Sequence, residues 1–252
     1  MSTLAVLLRK ELREQWRTLR LPIAVVVFFC LGVGSPLLAR YTPEIVRSLA
    51  SPELAKVIPE PRLADAIVQF VKNMGQIGAL MAIVLAMGSV ATERERGTAA
   101  FVLSKSATRF QFLAAKLLAL AVTLAASVAV AGLAAYAYTA ALFAALAPGF
   151  AVTCALILVA LLVIATVTFT VSTVTGSTVA AGAVGFVALI AGGMLSILPR
   201  VDPYTPFGMV ARAQPLATGG PAEALAWPLA TQALLICALF ALALLVFRRQ
   251  EL

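Results

Sequence analysis

The sequence predicts an all-α integral membrane protein. It has six transmembrane helices, N and C termini on the cytoplasmic side, and an N-terminal amphipathic interfacial helix. Three observations predict this. Of 252 residues, 62% are apolar and 12% are charged, against roughly 45–50% and about 25% in an ordinary soluble domain. The charges are unevenly placed: residues 117–199 carry none, and residues 21–39, 73–92 and 224–247 are shorter uncharged runs. Each shorter run matches the ~20 residues a helix needs to cross a ~30 Å hydrocarbon core. They are too long and too uniformly apolar for outer-membrane strands of about 10 alternating residues. A soluble enzyme, a disordered chain and a fibrous chain are excluded on the same composition.

Residues 1–20 read as the interfacial helix. Leu4, Leu8, Leu12, Trp16 and Leu19 recur at three- and four-residue steps on one face, and Arg9, Arg13, Arg17 and Arg20 on another. Such a helix lies in the headgroup layer with Trp and Leu down and Arg up. It anchors the first crossing or, on a second reading, also touches a cytoplasmic partner. Residues 21–39 make that crossing. A cleaved signal peptide is not expected there, because the lead carries Glu11 and Glu14 and the small-residue site at Ala39 follows Leu37. Residues 40–66 form an external loop. Thr42-Pro43-Glu44 and Ser51-Pro52-Glu53 each supply a cap residue, a first-turn proline and an acid. Two short helices are expected to follow, carrying Ile45 and Leu49, then Leu54 and Ile58.

The second crossing, 67–92, begins with a polar stripe of Asp65, Gln69, Lys72, Asn73 and Gln76. Lys72 lies near enough to the helix end to snorkel and escape the ~2.5–3.5 kcal/mol insertion cost of the membrane centre. Two readings stand. The stripe is a solvated helix end, or Gln69, Lys72, Asn73 and Gln76 form the mouth of a translocation path between subunits. The long uncharged run divides at Pro148-Gly149 and at Thr175-Gly176-Ser177, leaving crossings at 117–142, 151–172 and 178–198. Residues 166–175 alternate Thr and Ser with apolar residues like a strand. Lipid does not tolerate an open sheet edge, so a helix is expected, its hydroxyls bonded back to the preceding turn. Ser177, Ala181 and Gly185 form a small-residue row that permits close helix approach, a candidate dimer seam. The external segment 199–226 contains Pro199, Pro203, Pro206, Pro215 and Pro221 but stays apolar around residues 207–210, so it is expected to dip back toward the membrane. The last crossing is 227–247.

Charge and residue types narrow the chemistry. With the termini inside, 12 of the 19 Lys and Arg face the cytoplasm, the orientation the positive-inside rule favours. The net charge of +8 therefore suits anionic lipid headgroups and does not argue for nucleic acid. The chain has no His, which excludes His-based triads and HExxH zinc sites. Cys30, Cys154 and Cys237 are far apart and form no metal or disulfide pattern. No G-x-x-x-x-G-K-[ST] loop is present. No catalytic, cofactor-binding or metal-binding residues are expected, and the chain itself is not expected to be an enzyme.

The most informative segment is the cytoplasmic loop 93–116. Alternating charges at Glu93, Arg94, Glu95 and Arg96 end the second crossing, and Gly97 breaks the helix. Thr98 can cap a short apolar helix with Phe101, Val102 and Leu103, and Thr108 with Gln111 forms a capping box leading into the third crossing. An apolar knob on the charged side seeks burial worth roughly 1.5–3 kcal/mol per side chain, in headgroups or in a partner's groove. This loop resembles that of permease subunits of type-2 ABC exporters, at Glu93, Glu95, Gly97, Thr98, Val102, Leu103, Ser104, Thr108, Arg109, Phe110, Gln111 and Lys116. Ser106 replaces the family's usual Pro and Ala115 a frequent Gly. The basic N-terminus, the six crossings and the Pro-rich segment before the last crossing extend the resemblance along the chain.

The resemblance implies a permease half in the cell (inner, cytoplasmic) membrane, moving a hydrophobic or amphipathic substrate outward. Two such chains, as a homodimer, would dock two copies of a separate ATP-binding subunit, which alone would bind ATP and Mg. Glu93, Glu95, Gly97, Thr98, Phe101, Val102, Leu103, Arg109 and Lys116 would dock that ATPase and transmit its motion. The first and fifth crossings would form the dimer seam, and the second and fifth would line the path. Two alternatives remain: a membrane scaffold or assembly factor without export, which shares every feature except substrate passage, and an ion-coupled secondary transporter. The latter would normally place an acid or His within the membrane, and no central charge is present in the predicted crossings.

Overall fold

The computed structural model describes residues 2–49, 60–98, 107–144, 149–218, 220 and 225–250. Every regular element among them is helical, and six helical spans are long and apolar enough to cross a membrane. Without water in the hydrocarbon, each backbone N–H and C=O must be satisfied within its own segment, and a helix does this.

The interfacial helix α1 (Thr3–Arg17) is capped by Ser2, whose hydroxyl accepts from the Ala5 N–H. A turn with Leu19 at φ 60° leads into α2 (Arg20–Leu49). The first crossing is thus longer than expected, since Ile45 continues α2 through Pro36 and Pro43 and does not start a separate helix. Each proline follows a hydroxyl residue that bonds back one turn, Ser35 to the Leu31 carbonyl and Thr42 to the Leu38 carbonyl, one position before the Gly32 and Ala39 carbonyls that the prolines leave without an N–H. The second expected short helix, with Leu54 and Ile58, lies outside the described residues.

The second crossing is one span, Leu63–Glu95, built of α3 (Leu63–Asn73), a π turn (Met74–Gly78), α4 (Ala79–Met87) and, after a bend at residues 88–90, α5 (Ala91–Glu95). The bend exposes no bare donors, because Ser172 Oγ accepts from Val90 and Ala91 N–H. The third crossing is α6 (Arg109–Phe143), started by the expected capping box: Gln111 N–H donates to Thr108 Oγ1 at 3.2 Å and Thr108 N–H to Gln111 Oε1 at 3.1 Å. The fourth is α7 (Phe150–Thr175). Its Thr-rich half is helical as expected, with Thr166, Thr168, Thr170, Thr173 and Thr175 each donating to the carbonyl four residues back. The fifth is α8 (Thr178–Leu195), capped by Ser177. The segment after it tucks back as a short helix, α9 (Pro206–Ala217), with Met209, Val210 and Ala217 buried in the bundle. The sixth is α10 (Ala226–Arg249).

Helix α7 is the hub, in contact with α4, α6, α8, α9 and α10, while α2 pairs with α3 and α6 and α1 lies along α6. Lipid tails are as apolar as Leu, so helices in a bilayer are held by close packing and polar contacts more than by apolar burial. The α2–α6 crossing shows this: a Cβ on Gly32 would stand 2.4 Å from the Ala131 carbonyl oxygen. Helices α8 and α10 are the least enclosed, with Val179, Met194, Trp227 and Leu234 among their open side chains.

Candidate functional site

The two flanks of the 93–116 loop meet at one end of the bundle. Lys116, on the first turns of α6, is 4% exposed, although a lone lysine there would carry a large desolvation cost. Its ammonium is paired with Glu93 Oε1 at 2.9 Å and Glu11 Oε2 at 3.0 Å, and it stands 5.1 Å from the centre of the Phe112 ring. Lys10 joins from α1, at 3.0 Å from Glu11, 3.1 Å from Glu93 and 3.4 Å from Glu14. Burial opposes the charge on Lys10, but the Glu11 and Glu93 carboxylates outweigh it and hold its pKa above the ordinary lysine value. One turn on along α1, Gln15 Oε1 accepts from Thr123 Oγ1 of α6. The cluster thus joins α1, the end of the second crossing and the start of the third.

The Glu11, Glu14 and Glu93 carboxylates bring one oxygen each within 4.8 Å of one another. Lys10 and Lys116 already supply the positive charge that a cation would bring. Two ammoniums set among three carboxylates make the arrangement an ion-pair clamp.

Neighbouring residues extend it. Arg94 donates to the Thr173 carbonyl at 2.9 Å, and Gln250 donates to the Val174 carbonyl at 3.2 Å. Arg109 donates to the carbonyls of Phe247 and Arg248, while Phe112 and Phe247 stack with centroids 5.7 Å apart. The described ends of the chain, α1 and the end of α10, therefore lie at the same end of the bundle as this loop. Gly97 has φ 68°, which breaks the helix as expected, and Glu95, Arg96, Gly97 and Thr98 are exposed. Phe101, Val102 and Leu103 lie outside the described residues.

The structure separates the expected loop residues into two groups. Glu93 and Lys116 are buried and paired with each other within the chain. Glu95, Gly97 and Thr98 remain open. Lys10, Glu11, Gln15 and Thr123 are functional candidates that the sequence reading missed. The available signal was an acid and an amide, Glu11 and Gln15, beside the Leu stripe of α1.

At the opposite end, the polar stripe divides. Gln69 donates to Asn73 Oδ1 at 3.1 Å and Asn73 to Ser35 Oγ at 2.8 Å, which ties α3 to α2. Asp65 accepts from the Arg62 N–H at 2.8 Å at the helix start. Lys72 and Gln76 instead line a cavity bounded by α7, α8 and α9. That cavity lies within one chain.

The small-residue row of α8 is also turned inward. Ala181 and Gly185 are buried, and a Cβ on Gly185 would stand 2.3 Å from Thr168 Oγ1 and 3.1 Å from Ile83. The expected dimer seam is therefore used for packing within the chain. The opposite face of α8, with Val179, Val187, Ile190 and Met194 49–82% exposed, is the one left for lipid or another subunit.

The family described as Protein of unknown function (DUF2705) matches residues 56–252, and the chain belongs to it. It is also similar to the uncharacterized transmembrane protein YxlG of Bacillus subtilis (strain 168), 30% identical over 121 residues. That similarity covers 46% of this chain and 46% of the relative, so the chain spans about half the length of the curated relative it matches.

Proposed function

We propose that the chain is the membrane half of an ATP-driven exporter of the type-2 ABC kind. It would sit in the cytoplasmic (inner) membrane with the charged end inside and work as a homodimer, carrying a hydrophobic or amphipathic substrate outward. The observation that carries this reading is the double anchoring of the 93–116 loop. One flank is held by Glu93 and Arg94, the other by Lys116 and Arg109. A force on the loop is therefore delivered to α1, α6, α7 and α10 together. A slack loop would absorb it, whereas packed interiors transmit strain.

The exposed segment from Glu95 to Thr98, with the apolar residues 101–103 that follow it in sequence, supplies a surface for an ATP-binding subunit. That subunit, in two copies, binds ATP and Mg and closes around them. The chain's lack of a phosphate-binding loop fits an energy source carried by a partner.

The test is affinity purification of this chain from its native membrane, identification of any co-purifying ATP-binding subunit, and ATP turnover measurements on the complex. Co-purification is expected, with association or turnover lost in Gly97→Trp and Phe101→Asp. Gly97→Trp places a bulky side chain where φ is positive, a conformation L residues rarely adopt. Absence of any ATPase subunit, or unchanged association and turnover in both variants, overturns the reading.

A further inference from the structure

Away from the charged cluster, the second crossing, α7, α8 and α9 enclose a cavity of about 530 Å³, within the ~300–1,000 Å³ range of small-molecule sites. Its walls are apolar, with Ile157, Leu161 and Ile164 on α7, Phe186 and Ile190 on α8, and Phe207 on α9. Its polar lining is Lys72, Gln76 and Gln214, and no acidic side chain lines it. None of these three side chains makes a hydrogen bond or ion pair with another described residue. Elsewhere on the same stripe, Gln69 and Asn73 bond to each other and to Ser35.

Two local features shape the space. The π turn Met74–Gly78 forms part of the wall through Met74, Gly75 and Gln76, and single π turns recur at functional sites. Gly193 lines the cavity where a Cβ would meet nothing within 4 Å. On the rim, Leu80, Phe186 and Ile190 stay 41%, 48% and 49% exposed. The cavity therefore opens sideways between α4 and α8, on a face that hydrocarbon covers in a bilayer.

We propose that this cavity binds a single-chain anionic amphiphile, an alkyl chain carrying a phosphate or carboxylate headgroup. The chain lies among the apolar walls and enters by the side opening. The headgroup meets the Lys72 ammonium and the Gln76 and Gln214 amides. Charge complementarity sets the sign: one cation and no acid attract an anionic head, while a cationic head would face a like charge. This names the cargo of the exporter proposed above and rests on that reading for the direction of movement; binding itself needs no ATPase.

The experiment uses the full chain in lipid nanodiscs of zwitterionic lipid, with radiolabelled lysophosphatidic acid as probe. Lysophosphatidylcholine and an alkyltrimethylammonium of equal chain length serve as competitors, and inorganic phosphate as a headgroup control. Saturable binding of one probe per chain is expected, with the competitors at least about fivefold weaker, the scale of a single ion pair, and phosphate alone ineffective. Lys72→Glu should reverse the preference toward the cationic competitor. Gly193→Phe should fill the cavity and lower affinity for every head type while thermal unfolding stays unchanged. Non-saturable binding, equal affinity for both head charges, or an unchanged preference in Lys72→Glu overturns the proposal. Should Gly193→Phe fail to fold, Lys72→Glu still decides it. Binding without a co-purifying ATPase retains the cavity assignment and removes the exporter. Co-purification without binding does the reverse.

Discussion

The two ends of the bundle handle polar groups in opposite ways. At the charged end, Lys116, Glu93 and Glu11 are drawn inward and, with the exposed Lys10, neutralise one another across three segments. At the other end, Lys72, Gln76 and Gln214 border an apolar cavity with no partner among the described residues. Mutual satisfaction of buried charges makes a rigid joint, because losing any member strands the others. Unspent donors beside an open apolar volume make a place that a ligand can complete. One end is built to hold elements together, the other to receive something.

That contrast predicts a steep gradient of sensitivity. Lys116→Met should have the largest effect, about 3–5 kcal/mol of destabilisation, since it removes the buried one of the two ammoniums that Glu11 and Glu93 share and leaves them only the exposed Lys10. Thermal unfolding in detergent measures it, and adding Glu11→Gln and Glu93→Gln should recover much of the loss. A mild effect of the single change would mean that the cluster is not a joint.

Next comes Gly185→Leu, where the new side chain meets Thr168 and Ile83. Overpacking of this kind costs about 1–3 kcal/mol. Val187→Leu on the open face of α8 should leave the unfolding midpoint unchanged. If instead Gly185→Leu alters self-association and spares stability, the row faces a partner after all.

A smaller effect concerns pH. The pKa of Lys10 is higher in the folded chain than when unfolded, so its pairing stabilises fully below the ordinary lysine pKa and is lost as pH rises through the folded value. Docking of α1 should therefore persist through mildly alkaline conditions and loosen only above the usual lysine range. Hydrogen exchange of α1 against pH reads this, and Lys10→Met should remove the high-pH step. The smallest effect is expected for Lys72→Ala, which should not shift the unfolding midpoint, because Lys72 supports no internal contact. A clear loss of stability there would move Lys72 from the cavity to the scaffold.

Much of the architecture was legible in the order of residues. Three uncharged runs of membrane length and a long run divided at two breaks outlined six crossings, the capping box at Thr108 and Gln111 marked the start of α6, and the hydroxyl-rich half of α7 was readable as helix. These features are local: a run of apolar residues in lipid has one way to satisfy its backbone, and a cap involves neighbours three residues apart. Pro43 misled because Thr42-Pro43-Glu44 has the cap, proline and acid of a helix start, whereas α2 runs on through it to Leu49.

What lay beyond the sequence was which face meets which partner. Ser177, Ala181 and Gly185 were recognisable as a surface for close approach, but nothing along the chain said that Thr168 and Ile83 would fill it. Glu11 and Lys116, 105 positions apart, become a pair only when α1 lies along α6. The split of one polar stripe, Gln69 and Asn73 bonding toward α2 while Lys72 and Gln76 border a cavity, depends on where α2, α8 and α9 stand. Hydropathy and spacing report how a segment relates to its solvent. Partner choice among buried polar groups is settled by helix packing, because in a low-dielectric interior each group's free energy depends on the few atoms it touches.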